Sequence, residues 1–265
     1  MRIQHNIMAM NANRNLTFNN SQLSKNLEKL SSGYRINRAG DDAAGLAISE
    51  KMRADIAVYD QSIKNANDGI SMVQTVEGAL TEVHSMLNRA MTLATQMANG
   101  TYSTANYTQV GYEITALNDE IGRIASDTKF NGQQLFNATD DAEFQVSEGN
   151  SITLTLSSFS LSSVTIADLT DRTAAKSAMS TIKASIDTIS EWRAQMGAVQ
   201  NRLEHTVNNL GVTMENLQNA ESQIRDTNVA EEMMKYTKNN ILIQSAQAML
   251  AQANQVPQGV LQLMQ

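Results

Sequence analysis

Apolar residues recur at sevens over a long stretch of the chain: Ile182, Ile189, Met196, Leu203, Leu210, Leu217 and Ile224. A seam of that period belongs to a helix that buries one stripe against another helix. The companion position wanders from Ile186 through Trp192 and Val199 to Val207 and Met214, as a nearly straight helix drifts against a strict 3.5-residue repeat. One helix over about 175–225 is predicted. A second seam runs Ile56, Tyr59, Ile63, Ala66, Ile70, Val73, then Val76, Leu80, Val83, Leu87, Ala90, Ala94 and Met97, its steps alternating three and four with one slip after Val73. Residues 56–99 and 182–224 each make a helix of roughly 65 Å at 1.5 Å per residue. Equal lengths predict that the two pair as a long antiparallel coiled-coil rod.

Asn99-Gly100 closes the first of these helices with residues that tolerate a left-handed cap, and a third helical pattern follows over Val110–Ile124. Phe130-Asn131-Gly132 then signals a turn. Residues 151–156, SITLTL, alternate polar and apolar, and Phe144-Gln145-Val146 and Val164-Thr165-Ile166 are weaker strand candidates, so a small β-hairpin region is expected at about 133–168. Ser31–Gly45, with three glycines, reads as a loop, and Val256-Pro257 as a proline-made break. The fold class is therefore mainly α. The expected division is 1–44 for an N-terminal helix and its connecting loop, 45–225 for the helical rod with its hairpin region, and 226–265 for a C-terminal helix.

Composition agrees. Proline occurs once, where average usage of about 5% gives roughly 13, and helix interiors reject proline. Twenty Lys plus Arg against 27 Asp plus Glu leave a net charge of −7, which disfavours nucleic acid, anionic membrane and membrane-surface helices as readings. With no cysteine, disulfides, thiol catalysis and thiolate zinc sites are out of reach. Residues 1–16 hold no uninterrupted apolar run of the kind a secretory signal carries, and no transmembrane stretch is expected. His5, His84 and His205 lack metal-ligand spacing, and the glycines from Gly40 to Gly45 are followed by Leu46-Ala47 where a phosphate loop needs Lys and Ser or Thr. No nucleophile is paired with a base, so neither an enzyme nor a cofactor is expected.

Four strings carry a family resemblance: LSSGYRINRAGDDAAGLAIS at 30–49, DTKFNGQQLF at 127–136, GAVQNRL at 197–203 and LAQANQVPQ at 250–258. They resemble the bacterial flagellins, over nearly the whole chain. The middle departs, because only about 40 residues separate Phe136 from the heptad helix where flagellins commonly insert large outer domains; the chain resembles a short form. The resemblance implies a structural subunit of the flagellar filament for swimming motility, a helical homopolymer that is secreted to the extracellular side. Its implied partners are the flagellar type III export apparatus, an export chaperone, and hook-associated and cap proteins. A hook–filament junction protein has related ends and is the rival reading; self-assembly separates the two.

The end segments give their own reason to polymerise. Leu16, Leu23, Leu27 and Leu30 form one stripe and Tyr236, Ile243 and Leu250 another, and amphipathic segments of this length bury too little to stand alone. Neighbouring copies complete their core, and a head-to-tail contact that does not close generates an open helical filament. The termini are expected to form a helical pair on polymerisation and to be mobile in the free monomer. The candidate subunit interface is Leu16, Leu23, Leu27, Leu30, Asp41, Asp42, Tyr236, Ile243, Leu250 and Val256. Asp41-Asp42 reads either as a charge pair at a helix N-terminus or as a contact between subunits. Flagellins are also ligands of the vertebrate innate receptor TLR5, and the resemblance places receptor-binding residues at Arg89, Leu93 and Glu113. The surrounding motif is altered, with Asn88, Met91 and Thr92 standing where activating members resemble Gln, Arg and Glu.

Overall fold

The computed structural model describes residues 6–147 and 149–263, apart from the side chains of residue 163 and of 256–263. In order these form α1 (Ile7–Ser32), α2 (Ala43–Ala98), α3 (Thr104–Asp127), β1 (Lys129–Phe130), β2 (Gln133–Gln134), β3 (Ala142–Ser147), β4 (Asn150–Leu154), two short 3-10 turns at Leu156–Ser158 and Leu161–Ser163, α4 (Arg172–Arg225) and α5 (Val229–Leu263). The mainly α class with small hairpins is thus as expected. The chain divides into two compact units, Ala57–Met214 and Met1–Ile56 with Glu215–Gln265.

In the unit Ala57–Met214, Arg172 Nε donates to the carbonyl of Ala98 at 3.0 Å and Arg193 Nη2 lies 3.6 Å from Glu77 Oε1. Equal steps in opposite directions make the two long helices antiparallel here. The predicted seams are buried over most of this unit: Val73, Val76, Leu80, Val83, Leu87, Ala90, Ala94 and Met97 meet Ile182, Ile189 and Met196, with Ile114 and Ile121 of α3 closing the third side, while the seam positions Tyr59, Ile63 and Ile70 are half-buried. A third helix demands a wider apolar face than a two-helix seam provides, which is why Met72 beside Val73 and Leu93 beside Ala94 are buried too.

The end of α2 differs from the expectation. Neither Asn99 nor Gly100 has positive φ. The last carbonyls of the helix find other donors instead: the hydroxyl of Tyr107 donates to Met97 O at 2.8 Å and Arg172 covers Ala98 O, so no left-handed cap is needed. The Asn131-Gly132 turn is as read, with both residues at positive φ (49° and 83°) between paired β1 and β2, the primed geometry that matches strand twist. β3 and β4 pair antiparallel, and β4 seats Ile152 and Leu154 inward. Gly69 of α2 leaves a notch for this hairpin, since a Cβ there would stand 3.1 Å from Cγ of Phe144 and 3.2 Å from Leu203. Val164–Ile166 is not a strand. Val164 N–H instead returns to Leu161 O at 3.0 Å, and Ile166 is held by one side chain, Asn118, whose Oδ1 accepts from Ile166 N at 3.0 Å and whose Nδ2 donates to Ile166 O at 2.8 Å.

In the other unit, α1 packs along α5 in antiparallel sense, Asn6 meeting Ala253 and Asn26 meeting Glu232. The loop between α1 and α2 is shorter than the predicted Ser31–Gly45. α1 ends on Gly33 at φ 76°, whose N–H returns to Lys29 O. Gly45 already lies inside α2, where a Cβ would meet Asp42 and Ile36 at under 3 Å. α5 also runs through Pro257 rather than breaking at it. Proline removes the N–H that Ala253 O would otherwise accept, and the Asn6 amide supplies the missing donor at 2.8 Å.

Candidate functional site

The site begins at the paired end helices, where polar contacts set the register. Asn6 caps α1 by accepting from Ala9 N at 3.1 Å while its amide reaches Ala253 O. Deeper along the pair, the buried amide of Asn26 donates to Glu232 Oε1 and to Gln22 O and accepts from Asn239, each at 3.0 Å. Glu232 is buried as well and takes Lys235 on its other oxygen at 3.4 Å. Lys235 also pairs with Glu231 at 2.9 Å; that hydrogen bond raises the pKa of the ammonium and lowers that of the Glu231 carboxyl. A buried polar group in a helical seam fixes alignment because any other register leaves it unpaired.

The two helix breaks are stitched to each other. Arg35 N donates to Arg225 O at 2.6 Å and Thr227 N to Gly33 O at 2.9 Å, forming a bridge between Tyr34 and Asp226. The Tyr34 ring lies under Arg225 at 4.9 Å and Arg53 at 5.9 Å, within cation–π range. Arg225 Nη1 binds Glu50 at 2.6 Å and Arg53 faces Glu221 at 3.6 Å. The two aspartates serve the same connection. Asp42 Oδ1 accepts from Gly45 N at 2.9 Å, a cap on the first turn of α2. Asp41 Oδ2 accepts from Arg38 N at 3.1 Å and Asn37 N at 3.3 Å. These N–H groups, Arg38 first, and then Lys29 and Lys25 hold its carboxyl below the ordinary aspartate range.

All but one of the described stripe residues are buried or half-buried within the chain. Leu16, Leu23, Leu30, Tyr236 and Leu250 are half-buried and Ile243 is 8% exposed, while Leu27 stays 48% exposed. The side chain of Val256 and all of His5 lie outside the described residues. What the pair leaves outside is a second apolar set: Ile7, Met8, Met10 and Phe18 on α1, and Val229, Met233, Met234, Ile241, Leu242 and Met249 on α5. Helical period puts Ile7, Met10 and Phe18 across the helix from Leu16, Leu23 and Leu30. On α5 the outer apolar face is made of two seven-residue steps offset by one residue, Met234 to Ile241 and Leu242 to Met249, where the inner stripe is a single run, Tyr236, Ile243 and Leu250. A helix apolar on two sides is an interior helix. Those two offset steps are the signal in the sequence that marks the outer face.

Of the receptor candidates, Arg89 and Glu113 come together in the unit Ala57–Met214, Nε to Oε1 at 2.7 Å, both solvent-exposed. Leu93 does not join them. It is 3% exposed and packs in the three-helix core, so its side chain offers nothing to a partner. Among the described residues no group of three or more His, Cys, Asp or Glu could hold a metal ion, and no described helix is long and apolar enough to cross a membrane.

Comparisons with known proteins match both ends of the chain. The family model described as bacterial flagellin N-terminal helical region matches residues 3–141, and that described as bacterial flagellin C-terminal helical region matches 179–264. A flagellin of Halalkalibacterium halodurans is 52% identical, and one of Bacillus subtilis 46% identical, each alignment covering all of both chains. The crystal structure of Bacillus cereus flagellin superimposes with a TM-score of 0.52 at 32% identity, over 56% of this chain and 88% of that one.

Proposed function

The chain belongs to the bacterial flagellin family, and from that premise we propose how it serves as a structural subunit of the flagellar filament: copies join through the apolar faces that α1 and α5 leave outside their own pair. One observation carries this reading. α5 is apolar on the side that meets α1 and again on the far side, where Met234, Ile241, Leu242 and Met249 stand exposed; a contiguous apolar face of that kind marks a contact surface. Leu27 on α1 and Ile48 on α2 extend the exposed set in the same unit. The polar register lock between α1 and α5 presents these faces in a fixed alignment, so every copy offers the same surface.

Purified full-length protein, seeded with short polymer fragments, should elongate into filaments visible by electron microscopy. Protein that caps the seeds without elongating them is instead a junction protein, and protein that leaves them unchanged overturns the reading. Family membership also supports export through the flagellar type III pathway with a chaperone, an extracellular destination, and contacts with hook-associated and cap proteins. Binding to the innate receptor TLR5 is assigned to the exposed Arg89–Glu113 pair, without Leu93. A receptor-reporter titration with Arg89→Ala should shift to higher protein concentration, and an unchanged titration removes that assignment.

A further inference from the structure

Among the described residues, every exposed methionine belongs to the unit of the end helices: Met8 and Met10 on α1, and Met233, Met234 and Met249 on α5. In the unit Ala57–Met214 the methionines are buried, as Met72, Met97 and Met196 are, or half-buried. Five of the eleven outward apolar residues of α1 and α5 assigned above to contacts between copies are thus thioethers. Leucine has similar bulk and better-defined rotamers; methionine brings an unbranched, polarisable chain that repacks against a partner. It also brings the one apolar group on this surface that a mild oxidant turns polar.

We propose that these five methionines form an oxidation-sensitive assembly site, at which peroxide acting on the free subunit blocks polymerisation while the finished polymer resists. The proposal rests on the reading that the outer faces of α1 and α5 join copies. In the reaction a sulfur lone pair attacks one oxygen of hydrogen peroxide, and the S–O bond forms as the O–O bond breaks. The sulfur loses two electrons, the departing oxygen gains them and collects the proton of the transferred one, and the products are a sulfoxide and water. A sulfoxide oxygen is a strong acceptor with no donor awaiting it on an apolar face. Burying it without a partner weakens association by about tenfold or more per contact. Sulfoxides are reducible by dedicated reductases, so the change is reversible.

The test treats full-length protein with hydrogen peroxide before or after polymerisation, maps sulfoxides by peptide mass spectrometry and measures seeded elongation by sedimentation. Met8, Met10, Met233, Met234 and Met249 should oxidise in the free subunit ahead of Met72, Met97 and Met196, and the minimum concentration for elongation should rise about tenfold or more. In preformed polymer the five should stay reduced. The variant M8L/M10L/M233L/M234L/M249L is read against itself: whatever its own minimum concentration for elongation, peroxide should leave that concentration unmoved. The proposal falls if oxidised parent elongates at its old concentration with sulfoxide on those five, if the leucine variant is equally inhibited by peroxide, or if the five oxidise as fast in the polymer as in the free subunit. Failure of the untreated parent to elongate seeds is a different result and strikes the assembly reading itself.

Discussion

The two units of this chain are built from helices of the same kind and differ in where their apolar side chains go. The unit Ala57–Met214 buries nearly all of its seam, from Ala66 to Met97 and from Ala175 to Leu210, and leaves Val58, Tyr112 and Val212 as its large exposed apolar residues among those described. The unit of the end helices inverts this. Its buried apolar side chains, among the described residues, are Ile36, Ile243 and Ala253, while those exposed include Ile7, Phe18, Ile48, Met234, Ile241 and Leu242. What it buries instead is polar: Asn26, Ser49 and Glu232. Burial of apolar surface supplies strength without direction, whereas buried polar groups supply alignment at little net gain. The first unit is therefore a finished core, and the second is an aligned pair of helices whose stabilising surface is still open.

The sharpest way to break this contrast is a charge on the open face. Ile241→Asp alters a side chain that is 58% exposed, so the monomer should keep its stability to within about 0.5 kcal/mol. In the polymer the same carboxylate is buried without a partner, at a cost of several kcal/mol per contact. Elongation should stop at concentrations where the parent polymerises fully, as sedimentation will read. Normal elongation would mean that α5 turns this face to solvent in the filament.

The next largest effect lies in the finished core. Leu80 is fully buried, and Leu80→Ala should cost about 2–5 kcal/mol in urea unfolding of the monomer. Ile243→Ala, in a helix pair with few apolar neighbours, should cost the monomer less than half as much because the site is already open enough to relax. Equal losses would show that the end helices own a core comparable to the other.

This asymmetry also explains what could be read from the chain beforehand. The seams Ala66–Met97 and Ile182–Leu210 were legible because each packs within the chain, so period alone names the buried face. The outer face of α5 was not, because the steps Met234–Ile241 and Leu242–Met249 are as apolar as the run Tyr236, Ile243, Leu250, and only the position of α1 tells which is covered. Leu93 was named by resemblance and not by period, and its burial in the core that α3 completes is a long-range packing that no local pattern announces. Asn118 and Asn6 were invisible, since each replaces a local hydrogen bond, at Val164–Ile166 and at Pro257, from a distant point in sequence. Residue pattern carries local period well and carries such long-range substitutions poorly.

Smaller still is the effect of the Asn6 bridge. Asn6→Ala removes the cap on α1 and the donor to Ala253 O together, each worth about 1 kcal/mol. The loss should stay local. Amide exchange should quicken in the first turn of α1 and in α5 around Ala253, while α2 and α4 between Ala57 and Met214 keep their protection. Loss of protection in that other unit would contradict the separate character of the two.

The smallest expected effect tests whether charge matters to the connection between α1 and α2. Asp41 is ionised more readily in the folded loop than in an unfolded chain, chiefly because Arg38 N–H and then Asn37 N–H donate to it, with Lys29 and Lys25 nearby. A carboxyl whose folded pKa lies below its unfolded value contributes stability that is complete above the unfolded value, about 3.9, and is lost as pH falls through the folded one. Between pH 7 and 5 the loop should not change. Below about pH 4 the amide signals of Asn37 and Arg38 should shift in the parent and remain flat in Asp41→Asn, whose amide oxygen accepts the same bonds without titrating. The group is exposed, so solvent screening keeps the effect on global stability small. A parent whose Asn37 and Arg38 signals stay flat below pH 4, as they do in the variant, would show that the loop is held by the shape of the turn and not by the charge.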